Sequence, residues 1–170
     1  GQLRPICAAY KRRAGLGGCA WHPKHWSWMS EAALTCLGQM LMLCERVGTW
    51  PTAIRFLMIM HLDKEDGGGR PVALQCSVQR IWEGAREPMF MAWDAQFARK
   101  YNFAGKGKAG HKAVWQSMLE DEAYADTGIV STTLLTDLAK AYEKVHLNLL
   151  WLLGVMMDMP LVVLMLALEN

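Results

Sequence analysis

The sequence predicts an α+β chain in which helices with one apolar face pack around a glycine-tipped β-hairpin and short strands. Three observations carry this. Apolar residues recur at helical spacing from Ala33 to Cys44 and again from Ile81 to Phe97; Asp66-Gly67-Gly68-Gly69 separates two strand-like runs; and Ile129 to Thr136 is dense in β-branched residues. With 170 residues, 52% of them hydrophobic, the chain has enough apolar material for a domain with its own core and too much for disorder.

Taken in order, residues 1–29 are rich in Gly, Pro, Trp and basic side chains and are expected to be mostly loop, with Gly15-Leu16-Gly17-Gly18 as a turn. Ser30 is a plausible N-cap for a helix whose buried face is Ala33, Leu34, Leu37, Met40, Leu41 and Cys44, ending near Gly48. After Pro51, the compact apolar run from Ile54 to Leu62 suits a buried strand, and the glycine turn pairs it with a strand over Pro71-Val72-Ala73-Leu74. Ser77 is expected to cap a helix running toward Lys100 and kinked at Pro88, with Ile81, Trp82, Ala85, Met89, Trp93 and Phe97 on one side. A further helix spans about Ala109 to Ala125, a strand Ile129 to Thr136, and helical spacing returns from Lys140.

The apolar segment Leu147 to Leu168 is interrupted by Gly154, Asp158 and Pro160, leaving runs shorter than the ~20 residues a spanning helix needs. Two buried core helices and no membrane association are expected, and the twelve methionines suit the filling of an irregular core, although a bare partner surface would look the same in sequence.

The net charge is only +2, but it is unevenly placed. Basic residues gather at Arg4, Lys11, Arg12 and Arg13 and again at Arg99, Lys100, Lys106, Lys108 and Lys112; Glu120, Asp121, Glu122 and Asp126 form an acidic stretch. The basic clusters could grip a phosphate backbone or could be solvated faces. Five cysteines, Cys7, Cys19, Cys36, Cys44 and Cys76, show no disulfide framework, and no secretory pattern opens the chain, so an intracellular, reduced protein is expected. Cys19, His22 and His25 have a spacing that could begin a zinc site but lack an evident fourth ligand. The tryptophans could stack on bases, although Trp82, Trp93 and Trp151 lie at core spacing.

The most informative stretch is Asp137-Leu138-Ala139-Lys140-Ala141-Tyr142-Glu143. A carboxylate at the exposed end of a strand is placed to hold a metal ion, although, taken alone, capping the helix that follows is the commoner job for such an Asp. The stretch resembles the first catalytic palm motif of reverse transcriptases, especially those of non-LTR retroelements and group II introns: an Asp, a hydrophobic residue, Lys-Ala, an aromatic residue five positions after the Asp, then an acidic residue. Glu143 departs from the Asp that most members carry. Upstream, Lys64-Glu65-Asp66-Gly67-Gly68-Gly69-Arg70-Pro71 is similar to the fingers hairpin of the same enzymes, and His22-Pro23 and Glu45-x-x-Gly48-x-Trp50-Pro51 fit more loosely.

The resemblance implies the fingers and partial palm of a right-hand polymerase, with residues 1–128 as the fingers and N-terminal part and 129–170 as the start of a truncated palm. It implies that Asp137, with the backbone carbonyl of Leu138, helps hold two Mg²⁺ ions. Lys64 and Arg70 would bind the triphosphate of a deoxynucleoside triphosphate, and Tyr142 would exclude a 2′-hydroxyl. The implied partners are an RNA template, a DNA primer and the remainder of the polymerase chain, and the implied location is nuclear if the source is eukaryotic. The family's second palm motif, an aromatic residue followed by any residue and Asp-Asp, has no match, since no two Asp residues are adjacent here. The chain alone is therefore expected to be inactive. The alternative expectation is a non-catalytic helical interaction module whose Met- and Trp-rich helices form a partner-binding face.

Overall fold

The structure is a computed structural model that describes residues 2–63, 65, 67–97, 103, 109–130, 132 and 144–169. The chain divides into two compact units, Gly1–Trp93 with His146–Asn170 and Asp94–Val145. The sequence-based boundary at 128/129 falls inside the second of these.

The first unit is built around helix α2 (Glu31–Val47). Local chemistry sets both of its ends. The Ser30 hydroxyl accepts the Ala33 N–H at 3.2 Å, and Gly48 closes the helix in the left-handed conformation at φ +73, its N–H donating to the Cys44 carbonyl. Between these caps, Leu34, Leu37, Leu41 and Cys44 recur on one face and are buried. They join a single cluster with Val78, Ile81 and Trp82 of α3 (Ser77–Phe97) and with Val163 and Leu166 of α6 (Leu161–Leu168). Each such side chain stabilises the fold by roughly 1.5–3 kcal/mol through burial. Trp50, 1% exposed, meets Trp82 edge-on with ring centroids 5.3 Å apart, and its indole N–H donates to the Leu166 carbonyl. Beside this pair, the Glu45 carboxylate accepts the Trp82 indole N–H at 2.7 Å and both Nε and Nη2 of Arg86 at 2.5 Å. Burial opposes its ionisation, yet the Arg86 and Trp82 hydrogen bonds hold the carboxyl below the usual glutamate range.

The first 29 residues are more regular than expected. Helix α1 (Leu3–Ala9) and a 3-10 turn (Pro23–Trp28) form there. Their cause is tertiary: Cys7 is fully buried, and the Arg4 guanidinium bonds the carbonyls of Ser27 and Met29 and the Glu31 carboxylate. Cys76, not Ser77, precedes the first helical residue of α3, and its N–H donates to Gln79 Oε1 at 3.1 Å. Helix α3 continues through Pro88 and ends at Phe97.

The apolar run from Ile54 to Leu62 is not a buried strand. Ile54 belongs to a 3-10 turn (Thr52–Ile54), and strand β1 (Met58–Asp63) is exposed at every position. The physical reason is that β1 has a single partner, β2 (Gly69–Leu74), in antiparallel register from Met58 opposite Leu74 to Asp63 opposite Gly69. No further strand joins the ribbon among the described residues.

The apolar segment near the C-terminus breaks into α5 (Leu147–Met156) and α6, with Asp158 at φ +51 between them. Only Gly154 of α5 is buried, whereas Leu147, Leu149, Leu152 and Met156 are exposed, and α6 buries one face, Val163, Leu164 and Leu166, while Leu161, Val162 and Met165 are exposed, so neither helix is the fully buried core helix expected. The described contacts of α5 centre on α6, where a Cβ on Gly154 would lie 2.6 Å from Leu164 Cδ2. Many methionines are likewise on the surface, among them Met42, Met60 and Met156, and so do not fill the core. No helix is long and apolar enough to cross a membrane among the described residues.

In the second unit, α4 (Gly110–Asp126) carries Lys112 and the acidic stretch and buries no residue. Ile129, Val130 and Thr132 adopt no strand, Val130 being 92% exposed; the rest of the expected strand, 131 and 133–136, lies outside the described residues.

Candidate nucleic-acid interface

The ribbon turns through Gly67 at φ +75 and Gly68 at φ +137, backbone conformations that L side chains avoid. Arg70 follows on β2, opposite Leu62 and exposed. It is the one sequence-predicted site residue that the structure places. Lys64, Asp137, Leu138 and Tyr142 lie outside the described residues, as do Arg99, Lys100, Lys106 and Lys108 of the second basic cluster. Among the described residues no three His, Cys, Asp or Glu side chains converge where an ion could be held.

A second feature is a groove of about 690 Å³ whose lining includes Arg12, Arg13, Lys24, His22, His25 and Trp28. No carboxylate is among its lining residues, so its field is positive. Two elements build it. The strip from Lys11 to Leu16 is clasped to α3: Tyr10 donates its hydroxyl to the Arg80 carbonyl at 2.6 Å, the Arg80 guanidinium lies 5.0 Å over the Tyr10 ring, and the same guanidinium donates to the Gly15 carbonyl at 2.7 Å. The other wall is the 3-10 turn. Its three-residue period brings His22, His25 and Trp28 to one side, with His25 stacked on Trp28 at 5.0 Å and 29°. Trp28 remains 73% exposed, which leaves the indole available for stacking.

His22 is 8% exposed and anchors this wall; one ring nitrogen bonds the Lys11 carbonyl at 3.1 Å and the other accepts the Lys24 N–H at 3.0 Å. Cys19 turns toward Ser77 of α3. The Cys19-His22-His25 spacing therefore serves local structure, and the three side chains do not converge on one point. Arg12 and Arg13 belong to a basic cluster visible in the sequence. The three-residue spacing of His22, His25 and Trp28 is the sequence signal for Trp28, and Lys24 carries none. No family model matches the chain, and comparison with curated proteins and with solved structures found no match.

Proposed function

We propose that this chain is the fingers and first palm segment of a reverse-transcriptase-type polymerase, contributing to RNA-directed DNA synthesis. The observation that carries the reading is the β1–β2 ribbon. Strand β1 is exposed at every position, β2 is exposed except at the half-buried Val72 and Leu74, and no third strand joins the ribbon among the described residues. Arg70 stands next to its glycine turn, within the Lys-to-Arg-Pro stretch that resembles the fingers hairpin. An exposed apolar ribbon costs solubility and suits a segment that closes over a substrate. Arg70, with Lys64, would bind the triphosphate through charge-assisted hydrogen bonds. Asp137 and the Leu138 carbonyl would hold Mg²⁺ together with carboxylates outside the motifs of this chain. A bound metal pair lowers the pKa of the primer 3′-hydroxyl and stabilises the leaving pyrophosphate. Tyr142 would select deoxynucleotides by leaving no room for a 2′-hydroxyl.

The Arg12, Arg13, Lys24 and Trp28 groove would take a single-stranded segment of template, with cations on phosphates and the indole under a base. Fluorescence anisotropy with a labelled single-stranded RNA tests this across a salt series. Replacing Arg12, Arg13 and Lys24 together by Ala should lower the dependence of log K on log salt by about 2, at ~0.7 per phosphate contact. Trp28→Ala should weaken binding by ~1–3 kcal/mol at every salt concentration. Failure to bind RNA at low salt, or binding indifferent to these changes, would favour the helical interaction module. Primer extension by the chain alone is expected to be absent, and extension abolished by Asp137→Ala would show instead that the Asp-Asp motif is dispensable.

A further inference from the structure

Cys19 and Cys76 are distant in sequence and adjacent in space. The loop before Cys19 lies directly on the chain entering α3: a Cβ on Gly17 would collide with the Gln75 carbonyl and lie 2.9 Å from the Cys76 nitrogen. Only glycine permits so close an approach of two backbones. The Cys19 sulfur accepts the Ser77 N–H at 3.2 Å and lies 3.5 Å from the Ser77 hydroxyl oxygen. The Trp26 indole donates to that same oxygen at 3.0 Å; the protonated Cys19 thiol donates to it too, and the hydroxyl can donate in return once Cys19 ionises. Cys76 immediately precedes Ser77, whose N–H the Cys19 sulfur accepts, and the two thiols influence each other's ionisation. Cys76 is 2% exposed, whereas Cys19 is partly open to solvent.

The two sulfurs are therefore unequal. Burial opposes ionisation of Cys19, but hydrogen bonds from the Ser77 N–H, the Cys76 thiol and the Ser77 hydroxyl outweigh it and bring the thiol down to about 7. Burial pushes Cys76 up to about 11, helped by the hydrogen bond it gives to Cys19. At neutral pH a large share of Cys19 is thiolate and partly open to solvent, and its neighbour keeps its proton.

We propose that Cys19 and Cys76 form a redox-active dithiol, in which a hydroperoxide oxidises Cys19 and Cys76 resolves it to a disulfide that staples the Gly15–Ala20 loop to the start of α3. In the first step the Cys19 thiolate attacks a peroxide oxygen, the O–O bond breaks, and the departing hydroxide takes a proton to become water, or an alcohol for an organic hydroperoxide. Cys19 is then a neutral sulfenic acid, and its charge no longer adds to the burial that raises the Cys76 thiol. Cys76 loses its proton and attacks the Cys19 sulfur; the S–O bond breaks and hydroxide leaves as water with that proton. Two thiols and one hydroperoxide give one disulfide and two molecules of water when the oxidant is hydrogen peroxide. Gly15 and Leu16, which line the basic groove, lie on the stapled loop. None of this depends on the polymerase reading.

The test treats the reduced full chain with one equivalent of hydrogen peroxide at neutral pH, counts free thiols and maps non-reduced peptides by mass spectrometry. Thiols should fall from five to three, with a peptide containing Cys19 linked to one containing Cys76 and full recovery on adding dithiothreitol. Cys76→Ser should instead stop at a Cys19 sulfenic acid that dimedone traps. A measurement on the unaltered chain guards against variants that misfold: alkylation of Cys19 should rise through about pH 7 and then level off. Oxidation of exposed Cys36 ahead of Cys19, a Cys19 sulfenic acid that persists beside an intact Cys76 thiol, or alkylation of Cys19 still climbing at about pH 9 would each overturn the proposal.

Discussion

Replacing Glu45 by Ala is expected to destabilise the first unit by about 3 kcal/mol, because the change strands a guanidinium. The carboxylate holds three charge-assisted donors at 2.5–2.7 Å, and the side chains of Glu45 and Arg86 are 12% and 32% exposed. Breaking a fully buried pair costs roughly 3–5 kcal/mol; the partial access of Arg86 to water lowers that figure, and the unpaired Trp82 N–H restores about 1 kcal/mol. Arg86→Met leaves the less exposed Glu45 without its cation and should cost about as much or more. The double variant Glu45→Met with Arg86→Met removes both charges and should lose only about 1 kcal/mol. With Glu45→Met as the matching single variant, expected to lose about as much as Glu45→Ala, the double-mutant cycle then gives a coupling energy of roughly 3 kcal/mol or more. Urea unfolding followed by tryptophan fluorescence reads this, since Trp82 bonds Glu45 and packs against Trp50. The effect also has a definite pH dependence. Glu45 titrates below its unfolded value of ~4.3, so its contribution is complete above that pH and disappears as pH falls through the depressed folded value. The stability gap between the native chain and Glu45→Gln should therefore narrow in acid. Additive single losses, or a gap that widens below about pH 4, would refute the reasoning.

Two further outcomes concern α2. Gly48→Ala forces φ +73 on a residue with a side chain and drives its Cβ into Met165 Cε, so thermal unfolding should show a loss of about 1–2 kcal/mol. Adding Met165→Ala should recover only the steric part. Ser30→Ala removes the acceptor of the Ala33 N–H and should cost about 1 kcal/mol, while Ser30→Gly costs only a few tenths; hydrogen exchange at the Ala33 amide measures the difference.

The elements legible in the sequence are those whose boundaries are set locally. Ser30 and Gly48 bound α2 through their own side-chain and backbone chemistry, the glycines at 67 and 68 make the ribbon's turn, and Asp158 and Pro160 separate α5 from α6. What sequence could not supply was the identity of each partner. Helix α1 depends on Arg4 reaching Ser27, Met29 and Glu31, and nothing in Leu3–Ala9 announces those contacts. The same apolar composition that suggested buried strands and helices leaves β1 and most of α5 exposed, because periodicity reports a face and not what covers it. Within the site, Arg70 was legible from its place beside the glycine turn. The groove was not, since a stretch read as loop holds a 3-10 turn whose period aligns His25 with Trp28. The contact between Cys19 and Cys76 has no sequence signal at all, being made by a glycine that lets two distant segments touch.

The clasp of Arg80 on Tyr10 and Gly15 has a thermodynamic consequence. Loops that recognise anions usually surrender conformational entropy when the anion arrives, and affinity falls by that amount. Here the strip bearing Arg12 and Arg13 is already tied to a helix rooted in the core, so its freedom was given up when the unit folded. A phosphate entering this groove would meet a backbone fixed beforehand, with only the exposed Arg12 and Arg13 side chains left to order.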